Sequence, residues 1–175
     1  MKIRSITFNP PEPELKIIKS VTIYISEKHS EIIIAPISKE PNDSYHYEQN
    51  DCEVIDLNSS LETIGESIKR NFNKFDIKEK KEGMGKISDW PALKISKEKS
   101  GRRFEEKYNR FHISGITNRN NTLRIESVKK LPIQIELTST ISAHCEPSDL
   151  GNRIMKMFRS EITERKKNKS KGRKK

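Results

Sequence analysis

The 175-residue chain has no apolar run approaching the ~20 residues a helix needs to cross a bilayer, which excludes a helical membrane span. It starts Met1-Lys2-Ile3-Arg4 with no hydrophobic signal region behind it, so the protein is expected to stay where it is made, in the cytoplasm. Two cysteines, Cys52 and Cys145, sit in unrelated contexts without C-x-x-C spacing. This signals neither a disulfide framework nor a zinc site and suits a reduced compartment. The four histidines, His29, His46, His112 and His144, form no His-x-x-x-His pair, and no ligand-type acidic cluster accompanies them. No metal and no cofactor are expected.

Glycine is equally sparing, with seven residues. Neither the Gly-x-x-x-x-Gly-Lys-Ser loop nor Gly-x-Gly-x-x-Gly occurs, and no Gly-x-Ser-x-Gly elbow is present. Gly83-Met84-Gly85 is better explained by flexibility. His144-Cys145 is not a nucleophile and base pair, because sequence neighbours rarely face each other productively. A nuclease-like set of acids and a lysine is imitated by Asp89 with Glu105-x-Lys107, and by Glu98-Lys99. The segment around Phe104 reads as helix or turn, where these acids do not project as that chemistry requires. The reading is of a binding protein with no catalytic residues, and not an enzyme.

What is present is a short, polar chain whose apolar residues are gathered. Hydrophobic residues make up 31% and charged residues 34%, yet the former cluster into β-branched runs, which argues for a folded chain. The length suits one domain and is too short for two well-packed ones. The net charge of +10 looks like a nucleic-acid signature until it is located. Residues 165–175 hold eight bases and no acid, leaving 27 bases against 25 acids before them. We therefore expect a nearly neutral domain over 1–164 and a disordered, solvated basic tail over 165–175.

Along the chain, Ile3, Ile6 and Phe8 alternate in the β manner before a proline-rich breaker. Val21-Ile23-Ile25 and the continuous Ile32-Ile33-Ile34-Ala35 read as a hairpin, with Pro36 limiting regular pairing of its second strand. Residues 38–51 read as a polar loop, 52–57 as a strand, and Leu61, Ile64, Ile68, Phe72 and Phe75 as one helix face behind a Ser59-x-x-Glu62 capping box. Residues 76–90 read as a flexible connection, 92–96 as a short strand and 100–108 as one or two helical turns. Residues 111–116 and 122–128 read as a second hairpin, and a strand runs from Ile133 towards His144. A closing helix carries Leu150, Ile154, Met157, Phe158 and Ile162. The fold class is α+β (or α/β), a single domain with a twisted, mostly antiparallel or mixed sheet packed by two main helices over about 60–75 and 148–163.

The two helices echo each other. Ile64-Gly65-Glu66-Ser67-Ile68 through Phe72 and Leu150-Gly151-Asn152-Arg153-Ile154 through Phe158 share an apolar-Gly-x-x-Ile-x-x-x-Phe pattern. Glycine inside a helix costs about 1 kcal/mol relative to alanine, so its repeat implies close helix packing on the sheet. The order of these pieces, with Trp90, Ser100-Gly101-Arg102-Arg103-Phe104-Glu105-Glu106-Lys107 and His144-Cys145-Glu146-Pro147-Ser148-Asp149-Leu150-Gly151, resembles one branch of the contact-dependent growth inhibition immunity proteins. The resemblance covers roughly residues 15–160 and does not include the basic tail. It implies a cytoplasmic protein that binds, as a 1:1 heterodimer, the C-terminal toxin domain of a cell-surface effector, commonly a nuclease.

Candidate toxin-binding residues are Tyr45 and Tyr47, in the polar loop, and Arg102 and Arg103. Tyrosine offers apolar area with a polar tip at low entropic cost, and the arginines suit an acidic patch. The alternatives are tyrosines packed back on the sheet and solvated arginines. Toxic nucleases tend to have basic clefts, so a near-neutral inhibitor points to shape and hydrogen-bond complementarity or to a toxin with an acidic surface, by strand addition or a hairpin in a pocket. The rival reading is a nucleic-acid-binding module using the basic tail; against it, no strand carries the aromatic pair that stacks bases. Since ligand spacing gives no metal site, dialysis against a strong chelator should leave far-UV circular dichroism unchanged, and loss of structure would overturn that reading.

Overall fold

The structure is a computed structural model that describes residues 18–41, 45–79, 90–117, 120–129 and 135–172. Ile3, Ile6 and Phe8 therefore lie outside the described residues, as does Ile133. Within them are eight strands and four helices. In chain order these are β1 Lys19–Ser26, β2 Glu31–Lys39, β3 His46–Glu48, β4 Glu53–Asp56, α1 Leu61–Asn73, β5 Asp76–Ile77, α2 Pro91–Ile95 and α3 Gly101–Lys107. Then follow β6 Asn109–Thr117, β7 Asn120–Lys129, β8 Ile135–Ser142 and α4 Pro147–Gly172.

The strands form one open sheet in the order β3-β2-β1-β6-β7-β8, with β4 and β5 also on β2. All pairings but one are antiparallel; β5 runs parallel to β2. This is the single-domain, mostly antiparallel α+β architecture that the sequence implies. The β1–β2 hairpin pairs from Ser26↔Glu31 to Val21↔Pro36. Pairing with β1 stops at Pro36, but β2 itself continues to Lys39, where β3 and β5 both pair with Ser38 and Lys39 and so must flank it on opposite sides.

Burial follows position in the sheet. β2 is buried from Glu31 to Ser38, and β1 from Ser20 to Ser26, whereas β8 alternates between half-buried and exposed over Glu136–Ser142. A strand covered on both faces reads as a continuous apolar run, and one covered on a single face reads as an alternation. On one face Val21, Ile23, Ile25, Ile32, Ile34, Phe111, Ile113, Leu123 and Ile125 pack with Ile64, Ile68 and Phe72 of α1 and with Leu150, Ile154, Met157 and Phe158 of α4. On the other, Tyr24, Ile33 and Ala35 pack with Ala92 of α2, Phe104 of α3 and Tyr108. Among the described residues the second layer covers the β1–β2 part of its face.

Four expectations change. The segment 92–96 is helical, not a strand: Pro91 stands at the first helical position of α2, where its fixed φ suits the helix and its missing N–H goes unmissed. Residues 46–48, expected in a loop, form β3, and 76–77, expected in a flexible connection, form β5. Both are short pieces that pair with the continuation of β2. Ser60, not Ser59, caps α1, accepting from Thr63 N at 3.0 Å. The backbone of α4 runs on to Gly172. Lysine and arginine are good helix formers and neither proline nor glycine interrupts them before Gly172.

The repeated glycines have a more specific reason than packing on the sheet. A methyl group on Gly65 would run into the Pro147 carbonyl, and one on Gly151 into the Leu61 carbonyl. Each glycine lets the backbone of the other helix approach, so α1 and α4 touch main chain to main chain. Gly65→Ala and Gly151→Ala should each destabilise the fold by about 1–3 kcal/mol as overpacking outweighs the helix propensity gained, comparable with or below the ~2–5 kcal/mol of Ile68→Ala. Urea denaturation measures both, and a stabilised Gly65→Ala would show that the helices separate freely.

Candidate partner-binding surface

The layer over β1 and β2 is built on aromatic rings and on one carboxylate. Tyr24 lies 4.9 Å from Phe104 and 6.0 Å from Trp90, and Phe104 stacks on Tyr108 at 4.4 Å, centroid to centroid. Glu48 of β3 gathers three donors: Tyr24 Oη at 2.5 Å, Trp90 Nε1 at 3.2 Å and Ala92 N at 3.1 Å. Burial pushes the Tyr24 hydroxyl well above its ordinary value, and the charge of Glu48 pushes it further. This makes the short β3 the support of α2.

A second network closes the β1–β2 turn. Glu98, buried, accepts from Lys28 at 3.3 Å and lies 2.7 Å from His29 Nε2. Glu31, also buried, pairs with Lys97 at 3.0 Å and accepts from Tyr108 Oη. His29, with Lys28 close by, holds the Glu98 carboxyl below its ordinary range. With these partners the arrangement clamps the segment before α3 to the turn, since a buried charge is tolerable only when paired. Glu98-Lys99 is thus no imitation of a nuclease site, and Glu105 and Lys107 stand exposed on α3; Asp89 lies outside the described residues.

The four candidate residues fall on two elements. Tyr45, just before β3, is 49% exposed. Tyr47 is half-buried and donates to the carbonyls of Lys78 at 3.1 Å and Glu79 at 3.3 Å, so it also ties β3 to the chain after β5. Arg102 and Arg103 are exposed on α3, which turns Phe104 inwards and Arg102, Arg103, Glu105, Glu106 and Lys107 outwards. Arg102 pairs with Glu106 at 3.2 Å, an exposed i,i+4 pair of small energetic weight.

The β6–β8 part of the same sheet face is a surface that pattern reading did not single out. Phe111, Ile113, Leu123 and Ile125 turn towards α1 and α4, so the alternate residues of these strands form the opposite face. There Arg110, Thr122, Arg124, Glu136, Thr138, Thr140 and Ser142 are exposed. In register, Arg124 stands opposite Thr140 and Ser114, and Glu126 opposite Thr138 and His112. Arg124 and Glu126 pair at 2.6 Å. Its signal in the sequence is the alternation of hydroxyls and charges with apolar residues over 122–126, and a looser one over 136–142, where Leu137 and Ile141 are apolar and Ser139 between them is not.

Nothing in this set forms a reaction centre among the described residues. No group of three or more potential metal ligands occurs there. Burial raises the Cys52 thiol to about 12, and Cys145 is raised by burial too, so both stay protonated near neutrality. A cleft between α1 and the β6–β7 hairpin is lined by Ile68, Phe72, Ile113, Leu123 and Leu150, with Lys69 and Asn73 as its polar groups. Lys69 is already donating to the Cys145 carbonyl.

No family model matches the chain, and no curated protein matches it in sequence. Solved structures do share its fold. A protein of unknown function from Neisseria meningitidis superposes with a TM-score of 0.57 at 14% identity, covering 84% of this chain and 94% of its own. A chain of the CdiA-CT/CdiI toxin and immunity complex from Yersinia pseudotuberculosis superposes with a TM-score of 0.57 at 10% identity, covering 77% of this chain and 92% of its own. At these identities the likeness is one of fold.

Burial lowers His112 to about 4, with Arg110 and His46 adding to the effect, whereas the unfolded chain protonates it near 6.5. The unfolded state therefore binds more protons between those values, and stability is lost as pH falls through that window. Glu98, held low, adds a loss only below the ordinary carboxylate range. The thermal midpoint should fall from pH 6.5 towards 4, and His112→Gln should make that decline shallower while leaving the steeper loss at lower pH; an unchanged slope would remove His112 as its source.

Proposed function

We propose that the chain is a cytoplasmic immunity protein that binds and neutralises the C-terminal toxin domain of a contact-dependent growth inhibition effector. The observation that carries this reading is the fold likeness to a chain of a toxin and immunity complex, which extends over 92% of that chain. The family resemblance in the order of sequence segments supports it independently. The protein acts by occlusion and not by catalysis, as a 1:1 heterodimer, and the toxin is a nuclease.

The contact is made by α3, by the β3 approach and by the open face of β6–β8. These surfaces combine a half-exposed tyrosine, two outward arginines and a sheet face of hydroxyls with an arginine–glutamate pair. Such a mixture supplies directed hydrogen bonds and few charges of one sign, in keeping with complementarity of shape over mimicry of a phosphate backbone. Tyr45 and the Arg102/Arg103 pair are the anchors, and Tyr47 contributes less because it is more buried.

The test pairs the chain with the toxin domain encoded beside its gene. Co-purification and protection of cells expressing that domain are expected. Tyr45→Ala, or Arg102→Glu with Arg103→Glu, should leave the thermal midpoint nearly intact while at least one of them weakens binding tenfold or more. Full protection by both variants, with affinity lost instead in a folded Lys69→Glu or Lys156→Glu variant, would move the binding face to the helices. Failure of the wild-type chain to bind or protect would overturn the function.

A further inference from the structure

The two borders of the sheet are finished differently. β3, β4 and β5, which border β2, are short, and β4 carries Glu53 and Asp56 at its ends. Short length and charge are the usual means of keeping a sheet edge from pairing further. β8 has little of either. Its eight residues, Ile135–Ser142, include Glu136 as their one charge and no proline, glycine, lysine or arginine. They keep register with β7 throughout, and among the described residues no strand lies against their other side. Ala143 N donates to Asn121 O at 2.7 Å in continuation of that register. Backbone groups alternate sides along a strand, so those of Leu137, Ser139 and Ile141 turn to β7, and those of Glu136, Thr138, Thr140 and Ser142 turn outwards.

We propose that this edge pairs with a second copy of the chain, β8 against β8 and antiparallel about a two-fold axis at Ser139, independent of the toxin reading. The strand is complementary to itself. With Ser139 opposite Ser139, Leu137 meets Ile141 of the second copy, Thr138 meets Thr140 and Glu136 meets Ser142. Leu137 and Ile141 are partly buried on the α1–α4 face. They fall at non-hydrogen-bonded positions, where opposed side chains approach most closely, so each completes the other's cover. Glu136 with Ser142 and Thr138 with Thr140 fall at hydrogen-bonded positions and exchange both backbone bonds, and the threonine hydroxyls add a cross-strand contact. No charge meets a like charge. Centred on Thr138 or Thr140 instead, Leu137 or Ile141 would face the Ser139 hydroxyl. An unrelated strand gains the same backbone bonds without this matching, which is why a second copy is the occupant. The junction lies in the plane of the sheet, so α3 and the exposed β6–β8 face remain accessible.

One strand pair makes a small interface, so association is expected at micromolar concentrations. Sedimentation equilibrium of the full chain from ~1 to ~200 µM should show the mass rising from that of one chain towards that of two. Thr140→Pro removes an outward N–H and no bond to β7, and Thr138→Lys with Thr140→Lys sets lysines opposite lysines. Each should weaken the dimer tenfold or more while leaving the thermal midpoint of the dilute chain nearly intact. Under mild oxidation Ser139→Cys should crosslink to a dimer, because a non-hydrogen-bonded pair brings the two thiols within disulfide reach. Glu136→Cys, which meets Ser142, should crosslink no more than the wild type with its Cys52 and Cys145. The proposal is overturned if the wild type stays a monomer at the highest concentration, if both edge variants leave a dimer intact, or if Ser139→Cys crosslinks no better than Glu136→Cys. A monomer whose toxin complex is lost in the edge variants would give the edge to a toxin strand and overturn it as well.

Discussion

Because β2 is buried on both faces, each layer of the molecule has to be fitted to it. Ile32 and Ile34 turn to the helices α1 and α4, while Ile33 and Ala35 turn to α2 and α3. Each isoleucine so buried contributes about 1.5–3 kcal/mol, and none of the three is exposed at all. The same strand pairs with β1, β3, β4 and β5. A polar substitution there would strand a group between two apolar layers, and a shift of register by one residue would exchange the two cores.

That constraint also explains what can be read in the sequence. Three consecutive isoleucines are too apolar for a half-exposed strand, so the central position of β2 is legible from the residues alone. The two main helices are legible because a 3.6-residue period over a dozen residues is hard to imitate. The five residues of α2 are too few to show a period, and the apolar pair Leu93 and Ile95 alternates like a strand. Pro91 was the available sign of a helix start. β3 and β5 are short because their role is to pair with one end of β2 and to carry Glu48 and Asp76 to their partners. No local pattern records such a role.

The surface residues were legible to a different degree. Charge and context alone place Arg102 and Arg103 outside once Phe104 is placed inside, since α3 has one buried side chain, Phe104. The tyrosines were harder: Tyr45 and Tyr47 share a polar stretch, and no local pattern tells that the second is half-buried, donating to the backbone carbonyls of Lys78 and Glu79. The polar face of β6–β8 went unnoticed because alternation reports that one side of a strand is buried and says nothing of whether the other side is free. Its exposure among the described residues follows from α2 and α3 lying over β1 and β2.

This uneven cover divides the work of the molecule. Where both faces of the sheet are packed, the chain is fixed by apolar area and by the paired carboxylates Glu31, Glu48 and Glu98. Where the described residues leave the second face exposed, the side chains meet water without a burial cost, and substitutions there disturb the fold less than those between the two layers.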